Sequence, residues 1–211
     1  MSTMQQSKAN IVTDVNVQEH FRETIAAALA NQQVEAEENT VFYLVNLLAH
    51  FSKAEHLFEE DPNGMHLKPL ALLYAQAMQA DRLEDRLRAL RRLGDVALLI
   101  SGVFSGYLNR RSVGIDYYIG MGSSAYSYLS ENAHSSFRVS VFNGIYAELS
   151  AKFKTFVDVL DEVVESSHLS SPGDVLRIYD IWAKTGSLRA ANKLRKMGLE
   201  PLPHAGLGRQ N

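Results

Sequence analysis

Between Pro69 and Pro172 the chain contains no proline, and the whole sequence of 211 residues holds only 5. Proline removes a backbone donor and clashes with the preceding turn, so a chain built on long helices must keep it out of their interiors. A strand-and-turn fold has no such need and uses proline freely in its connections. The long proline-free interval therefore points to an all-α protein, and the spacing of apolar residues inside it supports the same conclusion. Phe142, Tyr146, Leu149, Phe153, Phe156, Leu160 and Val163 alternate steps of four and three residues. That heptad seam is the packing pattern of long bundle helices.

The remaining elements follow from periodicity and caps. A first helix is expected from about Val17 to Gln32, opened by Asn16 with Glu19 three positions later. A second carries Val41, Leu44, Leu48 and Phe51 on one stripe and runs to about Phe58, where Glu59-Glu60-Asp61-Pro62-Asn63-Gly64 stops it. A third spans roughly Lys68 to Ala80. Asp81 with Glu84 then opens a long helix from Arg82 to about Asn109, amphipathic and arginine-rich in its first half and apolar on every side from Val96 to Leu108. Ser112 caps a fifth, whose stripe contains Gly122 and Ala125 and so allows close helix approach. After the heptad helix, Ser171-Pro172-Gly173-Asp174 starts a seventh, and Thr185-Gly186-Ser187 separates it from an eighth ending at Gly198. No segment shows strand alternation. The expected fold is all-α, an irregular bundle of about eight helices with a C-terminal helix pair. Residues 1–12 read as a disordered tail, 13–170 as the bundle, 171–200 as the pair packed on it, and 201–211 as a flexible tail.

Composition narrows the function classes. Without cysteine there are no disulfides, thiolate metal sites or cysteine nucleophiles. The longest nearly continuous apolar run, Val96 to Leu108, is 13 residues and interrupted by Ser and Gly, whereas a membrane span needs about 20. The N-terminal sequence lacks the pattern of a signal peptide, so the cytoplasm is the expected compartment, of the bacterial type, with no membrane partner. Residues 181–211 carry six basic side chains against one acid, a local balance of +5 that leaves −8 for the rest of a chain whose net charge is −3.

Several constellations bear on chemistry. Arg110 and Arg111 precede a helix start with Ser112 and Gly114, followed by Asp116, Tyr117 and Tyr118. Guanidiniums beside a helix N-terminus can hold a phosphate or carboxylate, so this segment is the expected ligand site. Glu55 lies on the apolar stripe of the second helix, where a carboxylate must be paired or protonated, and joins the ligand-binding set. His50 falls on the opposite, polar face. Glu131 with His134, and Glu165 with His168, have the Glu-x-x-His step of carboxylate metal centres, but both fall at helix ends beside Ser-rich breaks. No metal and no cofactor is expected. Lys184, Arg189, Lys193, Arg195 and Lys196 gather on the C-terminal pair, which suggests nucleic-acid binding as an alternative. Ser187, Asn192 and Arg195 occupy positions that a helix-turn-helix would bury, so a docking role is favoured there.

With no catalytic constellation, the sequence points to a non-enzymatic regulatory or adaptor protein acting through protein–protein binding, as a homodimer joined by the heptad helix or the C-terminal pair. A small-molecule or anion-binding protein, with or without catalysis, using Arg110 to Tyr118 is the second reading, and nucleic-acid binding the third.

Overall fold

The structure is a computed structural model that describes residues 2–52, 57, 59–61, 64–104, 114–132, 137–166, 178–179, 182 and 187–196. Among them stand eight α-helices: α1 (Ser2–Asn31), α2 (Glu38–Phe51), α3 (Leu70–Gln79), α4 (Leu83–Val103), α5 (Ile115–Asn132), α6 (Phe137–Ala151), α7 (Phe153–Ser166) and α8 (Leu188–Lys196). The all-α class read from the sequence is the fold observed. None of the helices is long and apolar enough to cross a membrane.

Helix α4 is the axis of the bundle, packed by α3, α5 and α7. Its all-apolar half explains this position: Val96 to Gly102 are buried without interruption, so the helix has no face left for water. Ser101, the polar residue in that run, turns its Oγ to the carbonyls of Ala97 and Leu98 at 2.7 and 3.2 Å and so needs no outside partner. The small residues of α5 do what their spacing suggested. A Cβ on Gly122 would collide with the Phe153 ring and stand 2.8 Å from Ala97 Cβ. Hydrogen in place of a side chain is what lets α5 lie against α4 and α7.

Three elements differ from expectation. Helix α1 begins at Ser2 rather than near Val17. Glu59–Asp61 and Gly64–His66 pair as a small antiparallel hairpin, Glu60 opposite Met65, where the sequence suggested only a helix stop. The Asp-Pro-Asn-Gly run is turn chemistry for either purpose, and strands of three residues are too short to show alternation. Third, the heptad seam is carried by two helices, which meet at Lys152. Hydrogen bonds of helical spacing continue across the join, from Lys152 N to Glu148 O and from Phe156 N to Lys152 O, both at 2.9 Å. Lys152 Nζ binds Glu148 Oε1 at 2.9 Å and the carbonyl of Glu35 at 2.8 Å, tying the join to the connection between α1 and α2.

From Tyr146 to Val163 the seam residues are all buried, within the chain's own core cluster. The face expected to join two copies is thus spent inside one, and self-association would need another surface. Only Phe142, at its start, is exposed.

Two further joints shape the region of interest. Helix α1 ends with Val34 N donating to Leu29 O at 2.9 Å and Gln33 N to Ala30 O at 3.2 Å. This is a Schellman motif, and it places Gln33 at φ 55°, where glycine is usual. Helix α2 has no side-chain cap of its own at Glu37. The Glu148 carboxylate of α6 accepts from the Glu37 backbone N–H instead, at 3.2 and 3.3 Å. Burial pushes the Glu148 carboxyl up, but the neighbouring Thr40 hydroxyl, Lys152 and that N–H outweigh it and hold the group below the usual glutamate range.

Candidate functional site

Four helices bring a polar cluster together beneath an open groove. Arg88, Arg91, Arg92 and Asp95 are three and four residues apart on α4 and so share one face. Asp95 stands next to the apolar half of the helix, and its side chain is only 13% exposed. Its Oδ1 accepts from Tyr43 Oη of α2 at 2.5 Å and from Tyr126 Oη of α5 at 2.8 Å. Oδ2 faces Arg91 Nε at 3.7 Å. Gly94 makes room for this: a Cβ there would lie 2.7 Å from Tyr126 Cε1, so the bare backbone admits the ring beside the helix. Tyr146 of α6 stacks on Tyr126 at 5.7 Å and meets Tyr43 edge-on at 5.9 Å.

Burial raises the Asp95 carboxyl above the usual aspartate value, opposed by the Tyr43 hydrogen bond, Arg91, the Tyr126 hydrogen bond and Arg92. Burial and then the neighbouring Asp95 charge raise both Tyr43 and Tyr126. Both phenols consequently remain protonated and serve as donors to the carboxylate. Neither phenol is poised as an acid or base near neutral pH.

Above this cluster lies a groove of about 880 Å³ bounded by α2, α4 and α6, with Val17 and Gln18 of α1 also in its lining. Leu47, Phe51 and Ile145 are buried side chains in its lining, whereas Phe42 and Phe142 also line it and are 69% and 42% exposed. Arg88, Arg91 and Arg92 form the α4 side. Two are held in place by rings: the Arg91 guanidinium lies 5.5 Å from the Tyr43 centroid and that of Arg92 lies 5.0 Å from Phe51. Asp95 is the only acid among the described residues of the lining, and its oxygens already face two phenols and Arg91. A half-open groove with an apolar base and a fixed guanidinium wall is suited to binding an anion that carries apolar groups.

Among the described residues, those singled out from sequence lie outside the groove, apart from His50. Asp116, Tyr117 and Tyr118 occupy the first turn of α5, with Asp116 and Tyr117 exposed and Tyr118 partly buried against the core, and none lines the groove. Arg110, Arg111 and Glu55 lie outside the described residues, as do Lys184, His134 and His168. On α8, Arg189, Lys193 and Arg195 are exposed opposite buried Ala190, Ala191 and Leu194, and Lys196 closes the helix. His50, read as exposed, is exposed and lies on the groove wall. Glu131 binds Ser127 Oγ at 2.9 Å, and among the described residues no group of three His, Asp or Glu side chains could hold a metal ion.

Sequence reasoning missed Asp95 and the arginine wall. The test applied to Glu55, that a carboxylate among apolar residues needs partners, applies equally to Leu93-Gly94-Asp95-Val96-Ala97 and was the available signal. Comparison with protein-family models, curated proteins and solved structures finds no match, so the site stands on its geometry alone.

Proposed function

We propose that this protein is a non-catalytic binding protein whose groove between α2, α4 and α6 holds an anionic ligand. One observation carries the reading: Arg88, Arg91 and Arg92 line one wall, while Asp95, the single acid among the described residues of the lining, is engaged by two phenols and Arg91. Ring contacts fix two of the guanidiniums before any ligand arrives, which lowers the ordering cost of binding. An adaptor role fits this reading if the anion belongs to a protein.

Titration of the full chain with a panel of carboxylate, phosphate and acidic-peptide ligands tests it, read by calorimetry and thermal shift. A ligand at a hundred times its Kd should add about 2.7 kcal/mol of stability. Arg91→Ala and Arg92→Ala should each weaken binding, and raised salt should weaken it further. Binding unchanged in both variants, or no binding by any member of the panel, refutes the proposal.

A further inference from the structure

The groove has a length and a wall chemistry as well as a charge. Its α2 side runs from Asn39 through Phe42 and Asn46 to His50, three turns or about 16 Å of helix. All three bounding walls are helices, whose backbone donors and acceptors are spent internally. Asn46 is also engaged: its amide donates to Phe42 O at 2.8 Å, and its oxygen accepts from Gln18 at 3.3 Å. An extended peptide laid here would lose its backbone hydrogen bonds to water and find few replacements. A helix brings its own and can offer an apolar ridge to the base and charged residues to the rim.

We propose that the groove receives an acidic amphipathic helix from a protein partner. Its apolar ridge would rest on Leu47, Phe51 and Ile145 and against the exposed Phe42 and Phe142, with carboxylates meeting Arg88, Arg91 and Arg92. Charge selects this occupant: an apolar ridge flanked by acids complements both halves of the lining, whereas a basic helix meets three guanidiniums. The proposal rests on the anion-binding reading above and assigns the anion to a class of macromolecule.

The test is selection from a displayed library of random peptides of about 14 residues, roughly four helical turns, against the full-length protein. Calorimetric titration with citrate and inorganic pyrophosphate runs in parallel. Enriched clones should carry apolar residues at three- and four-residue steps with acids between them, and should gain helical circular dichroism on binding. They should bind Arg91→Ala/Arg92→Ala and the surface variant Phe42→Ala about tenfold more weakly or worse, the scale of a lost interface anchor. Folding of each variant is checked by its own circular dichroism. Enrichment of extended, neutral or basic sequences, or of clones that ignore these variants, overturns the proposal. Failure of the library while citrate or pyrophosphate binds in an Arg91-dependent way overturns the helix and leaves anion binding standing. Failure of both removes the two together.

Discussion

Tyr126→Phe removes one oxygen from a side chain that is fully buried and leaves its ring contacts with Tyr146 and Phe153 in place. What is lost is the 2.8 Å hydrogen bond to Asp95 Oδ1. A hydrogen bond to a charged group contributes about 1.5–3 kcal/mol. For a chain of this size, that corresponds to a fall in melting temperature of about 3–12 °C. The pH dependence separates this bond from any packing effect. The Tyr126 donor lowers the Asp95 pKa, so without it the folded-state value, already raised above 3.8 by burial, climbs further. Below 3.8 the carboxyl is protonated in both proteins, and the variant loses only a neutral hydrogen bond, about 0.5–1.5 kcal/mol. As pH rises through the folded-state pKa, wild type ionises with two phenol donors and the variant with one, so the stability gap widens. Urea titrations of both proteins between pH 3 and 8 measure that gap. A gap independent of pH, or one near zero throughout, would refute the ionised Asp95 network.

The other expectations are simpler. Gln33→Gly relieves a left-handed backbone and should stabilise the protein by about 0.5–1 kcal/mol in urea melts, since the strain relieved exceeds the entropy glycine adds to the unfolded chain. Glu148 has a lowered folded-state pKa, so its contribution is present above its unfolded value of 4.5 and disappears as pH falls through the folded one. Glu148→Gln should therefore cost about 1–2 kcal/mol at pH 7, in the range of charged hydrogen bonds, and progressively less in acid, as followed by thermal melts across that range. Gly122→Ala must displace the Phe153 ring or separate α5 from α4, and about 1–3 kcal/mol of destabilisation is expected by calorimetry.

The fold was legible because its signals are local. Proline placement, the apolar run of α4 and the seam from Tyr146 to Val163 each report burial through spacing along one helix. The tie from Lys152 to Glu35 was not, because the two residues stand more than a hundred positions apart. The site was hidden for the same reason. Arg88, Arg91 and Arg92 read as a solvated helix face, and nothing on α4 announces that α2 and α6 close a groove above them. Tyr43 and Tyr126 lie 52 and 31 positions from Asp95, and no spacing rule connects residues on three helices. Conversely, density of polar types, the signal at Arg110 to Tyr118, is a property of sequence and says nothing of enclosure.

The bond from the Glu37 backbone to Glu148 spans 111 positions and has a kinetic consequence. The Glu37 N–H at the mouth of α2 gains its acceptor only when α6 is in place, and loses it when α6 lifts away. Amide hydrogens at the start of α2 and the end of α6 should therefore exchange with solvent at one shared rate, in one opening event. Two of the groove's three walls would then form and dissolve as a unit, and a truncation that ends the chain before α6 would remove one wall and unravel the beginning of another.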